Sequence, residues 1–322
     1  MVQTEKVFIE VDGHQLGMFI ETVNEDHPVL LFLHGGPGFP QYPMIKKSEL
    51  RLEAEFTVCY WDQRGAGMSY NARTQGELTL DKAIKDTLEV TQFLKERFRK
   101  EKIYLFGHSW GALLGSVVAS RFGEHYAAYI GSGQFGRHNQ SNEETYQFLL
   151  HTAIEKGDQK AEKDIRAYTF DENFYQSQTY RKILSKYLTK YGGGMKRESY
   201  TQWDGLKEWF TCKEYTWGER FNLPKGVFAS YDALSETMAK ADATLLAPNF
   251  QMPVYIFQGK YDYQTSYKEA KRFFELIKAP HKQFYSFDNC AHSPFLEEAS
   301  RVLSILKEEV LRTPIEKGTG KV

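Results

Sequence analysis

Three short stretches of this chain bring together residue types that can carry out acyl transfer. Residues 107–111 read Gly107-His108-Ser109-Trp110-Gly111, a G-x-S-x-G pattern. The apolar run Ile-Tyr-Leu-Phe at 103–106 precedes it, and Leu113, Leu114, Val117, Val118 and Phe122 follow at helical spacing. A strand that turns into a helix with almost no loop is the setting of a nucleophile elbow, where a serine hydroxyl points out of the sheet from a strained turn. Glycines at 107 and 111 suit it, because a Cβ at either position would meet neighbouring backbone. A serine hydroxyl is a poor nucleophile until a histidine takes its proton, and that histidine needs a carboxylate to orient it. Asp262 follows the apolar run at 254–257, and His292 follows the run at 282–287. Serine, then carboxylate, then histidine, each after a strand, is the chain order that this arrangement requires. The expected roles are nucleophile for Ser109, general base and then acid for His292, and orienting carboxylate for Asp262. The developing oxyanion needs N–H donors. Those expected are the backbone groups of Trp110, after the nucleophile, and of Gly36 in the loop Gly35-Gly36-Pro37-Gly38.

The rivals fit less well. His108 neighbours the serine, but adjacent elbow positions point apart, so packing is its expected role. His34 precedes the serine in the chain, and His281 falls at the opposite end of the sheet. Asp288 sits on the histidine's own loop. Thus Asp262 is preferred as the carboxylate.

The elements that must hold these residues can be read from hydrophobic periodicity. Residues 7–11 and 16–20 flank Asp12-Gly13 and read as a hairpin with a loop slightly longer than two residues. Residues 29–33, 57–61, 103–106, 126–130, 254–257 and 282–287 read as strands, most of them apolar on both faces. A helix from near Thr79 carries Ile84, Leu88, Thr91, Leu94 and Phe98. Strand and helix therefore alternate, which predicts an α/β fold with a mostly parallel sheet and helices on both faces. The Gly-rich stretches fall at the carboxyl ends of strands, where such sheets gather their chemistry. Residues 134–249 differ: they are helical in pattern, charged and rich in aromatics, with a loop at Gly192-Gly193-Gly194. We read 1–133 and 250–322 as one core and 134–249 as an inserted helical cap. Most cap aromatics are expected to form its own core and a few to face the cleft. A last helix is expected from Ser293, as its cap, through Val310, with a frayed tail after Thr313.

Composition narrows the function. The 322 residues are 41% hydrophobic and 26% charged with net charge −1, which is ordinary for a globular protein and offers no basic stripe for nucleic acid. Cys59, Cys212 and Cys290 are too scattered for a disulfide framework, and no His/Cys cluster suggests a metal. There is no apolar signal core at the N-terminus and no run approaching the ~20 residues of a membrane span. The expectation is a cytoplasmic enzyme without metal or cofactor, whose partner is a small molecule or short peptide.

Taken together, His34-Gly35-Gly36-Pro37-Gly38, Asp62-Gln63-Arg64-Gly65-Ala66-Gly67-Met68-Ser69, Gly107-His108-Ser109-Trp110-Gly111, Gly259-Lys260-Tyr261-Asp262 and His292-Ser293 resemble the proline iminopeptidase branch of the α/β-hydrolases. The resemblance covers roughly residues 5–134 and 250–310. It implies an α/β-hydrolase fold and a serine peptidase that releases an N-terminal residue, often proline, without a cofactor. It also implies that the Asp62–Ser69 motif is architectural and Arg64 not catalytic. Family members hold the substrate amine with cap acids, including a Trp-Glu pair. This chain has no Trp-Glu dipeptide; Trp217-Gly218-Glu219 comes nearest, and Glu208, Glu214 and Glu219 are the candidate carboxylates. Ala291 stands where a glycine commonly precedes the family's histidine. Two alternatives stay open: a carboxylesterase or amidase with the same triad, and a non-catalytic scaffold for binding.

Overall fold

A strand that is apolar at every position has no face to offer water, so it must lie inside a sheet covered on both sides. In the computed structural model, which describes residues 1–168, 170–171, 173–198 and 200–313, the apolar runs do this. The expected frayed tail lies outside these residues. The strands are β1 (Gln3–Val11), β2 (His14–Thr22), β3 (Val29–Leu33), β4 (Thr57–Trp61), β5 (Ile103–His108), β6 (Tyr126–Ser132), β7 (Val254–Gly259) and β8 (Lys282–Phe287). They form one sheet in the order β1-β2-β4-β3-β5-β6-β7-β8. Strand β2 runs antiparallel to β1 and β4; every other pairing is parallel. This is the mostly parallel α/β architecture expected.

Successive side chains of the central strands go to opposite faces. Leu31, Leu33, Trp61 and Leu105 pack with helices α2 (Leu80–Phe98) and α3 (Trp110–Arg121) on one face. Leu30, Phe32, Val58, Tyr60 and Phe106 pack on the other, with the short helix α1 (Tyr42–Lys47) and the C-terminal helices. Between β6 and β7 the chain forms α4 (His138–Glu155), α5 (Gln159–Arg166), α6 (Gln178–Tyr191), α7 (Gln202–Thr211), α8 (Trp217–Lys240) and α9 (Ala243–Leu246). Leu149, Ile165, Tyr187 and Tyr191 make a small apolar cluster among α4, α5 and α6. Trp209, Tyr215 and Leu223 instead join Phe19 and Tyr42 over the antiparallel side of the sheet. Helix α10 (Tyr267–Leu276) precedes β8, and α11 (Pro294–Glu297) and α12 (Ala299–Ile305) follow it.

Two local expectations are corrected. The hairpin loop is the minimal Asp12-Gly13: both residues have positive φ (52° and 70°), the backbone of a two-residue primed turn that matches strand twist. The last helix is not continuous. It breaks at Glu298, whose φ of −123° is not helical, and ends in a π-helical turn at Leu306–Val310. Ser293 gives no side-chain cap; its hydroxyl donates instead to Met195 Sδ at 2.9 Å. Along this stretch Phe295, Ala299, Val302, Leu306 and Val310 are buried, and Leu303 is half-buried. The three cysteines are free and buried.

The loop after β4 is anchored by charge. Buried Arg64 donates to both Asp86 oxygens on α2, at 2.6 and 2.9 Å, and to Val11 O at 3.2 Å. Removing one member of a buried, hydrogen-bonded pair strands the other's charge. Arg64→Met is therefore expected to lower the unfolding free energy by about 3–5 kcal/mol, read from urea titration. An unchanged midpoint would contradict this role for Arg64.

Candidate active site

The elbow is built as its sequence requires. Ser109 sits between β5 and α3 with φ 56° and ψ −120°, a conformation that side chains rarely adopt. Its N–H donates to Ser132 O at 3.0 Å, which ties the turn to the end of β6. A Cβ on Gly107 would collide with the Gly111 carbonyl, and one on Gly111 with the Leu33 carbonyl. The Ser109 hydroxyl, partly exposed, makes no hydrogen bond among the described residues. Serine–histidine bonds of this kind often tighten only when substrate binds.

Asp262 and His292, both buried, meet behind the elbow. His292 Nδ1 lies 2.9 Å from Asp262 Oδ2. A carboxylate oxygen accepts, so Nδ1 carries the hydrogen of this bond. Asp262 Oδ2 also accepts from Gln258 Nε2 at 2.7 Å and Thr265 Oγ1 at 3.0 Å. Its Oδ1 accepts the backbone N–H groups of Gln264 and Thr265, at 2.9 and 3.0 Å. A buried charge needs such partners. The ring of His292 rests on Gly133, one residue past the Ser132 carbonyl that holds Ser109. The serine and histidine thus flank the same two residues at the end of β6.

The oxyanion candidates are also close. A Cβ on Gly35 would lie 3.0 Å from Ser109 Cβ, so the loop after β3 abuts the elbow. Among the described residues, the backbone N–H groups of Gly36 and Trp110 have no hydrogen-bond partner. The Trp110 indole is held by Gln63 Oε1 at 2.9 Å, and Gln63 Nε2 donates to His34 O at 2.8 Å.

The rival residues have other partners. His34 donates from Nδ1 to Gly35 O at 2.8 Å and accepts Gln63 N–H at 3.0 Å; burial pushes its pKa down to about 4. Asp288 is largely exposed and pairs with Lys260 at 2.9 Å. His108 does more than pack. Its Nδ1 accepts from Gln41 Nε2, and its Nε2 donates to His292 O at 3.1 Å, so it fixes the backbone of the histidine loop. Burial holds its imidazole well below the usual pKa and hence neutral. Its position beside the serine was the available signal, but the partner lies on a loop 184 residues away. Asp62 and Ser69 are structural: Asp62 accepts Met68 N–H at 2.8 Å and Tyr215 O–H at 2.9 Å, and burial raises its pKa to about 7.

The cap candidates separate. Glu219 closes a capping box with Thr216 and pairs with Lys6 of edge strand β1 at 2.6 Å. Trp217, 65% exposed, lies with its ring 4.5 Å from the Arg220 guanidinium. Glu214 accepts from Cys212 Sγ at 3.2 Å. None of these contacts reaches the loops that carry Ser109, Asp262 or His292. Glu208, on α7, accepts the Tyr200 hydroxyl at 2.5 Å. Gly205 on the same helix packs near Phe39, in the loop that bears Gly36. Of the expected cap aromatics, Tyr180, Tyr187, Trp209 and Tyr215 are buried, whereas Trp203 and Phe221 are exposed. Among the described residues no group of His, Cys, Asp and Glu could hold a metal, and no helix is long and apolar enough to cross a membrane.

A family model described as the alpha/beta hydrolase fold matches residues 28–299. A probable aminopeptidase of Bacillus subtilis, YbaC, is 29% identical over 289 residues, 88% of this chain and 89% of that protein. A proline iminopeptidase of Saccharolobus solfataricus is 23% identical over 322 residues, 95% of this chain and 92% of that protein. The crystal structure of VinJ superposes with a TM-score of 0.69 at 18% identity, covering 95% of this chain and 98% of that one.

Position 133 tests how closely the histidine is seated. Gly133 has φ 58°, and a Cβ there would stand 2.8 Å from His292 Cε1. Gly133→Ala is expected to cost about 1–2 kcal/mol for the left-handed backbone alone and to shift the His292 Cε1–H NMR resonance. A resonance at its wild-type position would contradict the contact.

Proposed function

The chain belongs to the α/β-hydrolase fold family, and on that footing we propose that it is a serine hydrolase in which Ser109, His292 and Asp262 act as one unit. The observation that carries this reading is the buried Asp262–His292 hydrogen bond, 2.9 Å long, standing over an elbow serine held at φ 56°. In the proposed reaction His292 Nε2 takes the Ser109 proton as Oγ attacks the substrate carbonyl. Asp262 holds the imidazolium that forms. The N–H groups of Gly36 and Trp110 receive the oxyanion. His292 then protonates the leaving group, and the acyl-enzyme is cleared by water that His292 deprotonates.

For the substrate we propose a short peptide or aminoacyl amide, cut after its N-terminal residue. Support comes from the aminopeptidase and proline iminopeptidase relatives, which align with most of the chain. Glu208 is the cap acid best sited to meet the substrate ammonium, since Gly205, three residues before it on α7, packs near Phe39 in the loop of Gly36. Three buried free thiols suit a reducing compartment, so the proposed site of action is the cytoplasm. One observation favours a second reading, an esterase or amidase for apolar acyl groups. The nearest equivalent of the family's Trp-Glu pair is turned to other work, with Glu219 on Lys6 and Trp217 on the outer surface.

Assay against prolyl, alanyl and leucyl chromogenic amides and short-chain nitrophenyl esters separates these readings. Amide turnover that disappears when the amine is acylated is the expected result; ester turnover alone selects the second reading. Ser109→Ala is expected to lower kcat by at least about a thousandfold. No Ser109-dependent turnover of any substrate would sink both. Glu208→Gln is expected to raise KM for free-amine substrates by at least about tenfold, with ester KM unchanged. A matching rise for both would argue against an ammonium contact.

A further inference from the structure

The segment Gly192-Gly193-Gly194-Met195-Lys196-Arg197, which leaves the end of α6, is bonded to both loops that carry the acid and the base. Gly193 O accepts the Tyr263 N–H at 3.2 Å, beside Asp262. Gly194 O accepts the N–H of His292 itself at 3.1 Å. Met195 Sδ accepts the Ser293 hydroxyl at 2.9 Å. The Arg197 guanidinium stacks on Tyr261, 3.6 Å from the ring centroid. One side chain joins the segment to the histidine loop. Glu297 Oε1 accepts the Ala291 N–H at 2.8 Å, and its Oε2 accepts the Arg197 N–H across 100 residues of chain. The backbone on either side of His292 is thus pinned: Ala291 by Glu297, His292 N by Gly194, and His292 O by His108.

We propose that Glu297 is a positioning residue for the base, and that it works by clamping the cap segment 192–197 onto the histidine loop. This rests on the reading of His292 as the catalytic base. A carboxylate suits the task because it is the side chain that can accept from two backbone donors at once with no hydrogen of its own to misplace. Burial raises its pKa to about 7, against the two N–H donors that lower it. The clamp also couples the inserted helices to the reaction centre, since any displacement of α6 pulls on the amides that seat His292.

The probe is a small fluorophosphonate, which needs an activated serine and no cap pocket, so its labelling rate reports the Ser109–His292 geometry. Glu297→Gln keeps the volume and one acceptor but turns an amide hydrogen toward an N–H. Arg197→Ala, at a half-exposed position, removes the Tyr261 contact and leaves Glu297 in place. With urea midpoints used to confirm folding, Glu297→Gln is expected to slow labelling by at least about tenfold, in keeping with the cost of small misplacements. Arg197→Ala is expected to slow it by about threefold, and in both the low-field proton on His292 Nδ1 should exchange faster with water. If Glu297→Gln does not fold, Glu297→Asp, whose carboxylate reaches one methylene less far toward the two N–H groups, takes its place with the same expectation. A wild-type labelling rate in the folded Glu297 variant overturns the proposal. A wild-type protein not labelled on Ser109 removes instead the hydrolase reading on which it rests.

Discussion

A side chain at position 111 would drive into the carbonyl of Leu33, and one at 107 into the carbonyl of Gly111. That exclusion lets α3 approach β3 and β5 closely enough for the chain to pass from strand to helix at a single residue. Ser109 absorbs the turn at φ 56°, and its N–H is held by Ser132 on the neighbouring strand. The backbone strain is of order 1–3 kcal/mol. It is sustained because β5 and residues 110–119 of α3 are buried and leave the serine nowhere else to go. The rest of the site is positioned with respect to this point. β3 delivers Gly35 and Gly36 beside the serine, β6 delivers Ser132 and Gly133, and the loop after β8 seats His292 on Gly133 with Asp262, from the loop after β7, bonded to its ring.

The polar groups of the site are satisfied in layers. Asp262 accepts from two side chains and two backbone groups besides His292, and Gln258, one of those side chains, also accepts the Gln134 N–H at 2.9 Å. Gln41 and His108 continue the pattern on the other side of the histidine loop. In a low-dielectric interior such chains fix tautomers as well as positions. His108 is neutral and donates from Nε2, and His292 donates from Nδ1. Nε2 of His292, turned to neither Asp262 nor Thr265, is the nitrogen on which the proposed proton transfer depends.

Much of this was legible in the sequence because it rests on local patterns. The elbow announces itself by glycines around a serine between a strand and a helix. Asp262 and His292 follow from being the right residue types just after late apolar runs. What was not legible depends on partners distant in the chain. His108 reads as packing until His292 O is found beside it, and Glu297 carries no signal until Arg197 N and Ala291 N are both found on it. The break at Glu298 was likewise invisible to helical periodicity. One signal was present and unused: Thr216-Trp217-Gly218-Glu219 has the spacing of a capping box, which commits Glu219 to its own helix start. The burial of aromatics in residues 134–249 is the least legible part, because Trp209 and Trp203 look alike in sequence yet one is buried and the other exposed.

Ser109, His292 and Asp262 are proposed to function as one machine and not as three neighbouring polar residues. Kinetics of the single, double and triple alanine variants on a substrate the wild type turns over test it directly. A cooperative unit is already disabled by its first loss, so Ser109→Ala, His292→Ala and the triple variant should fall to nearly the same residual rate. Losses that add independently from one variant to the next would contradict it.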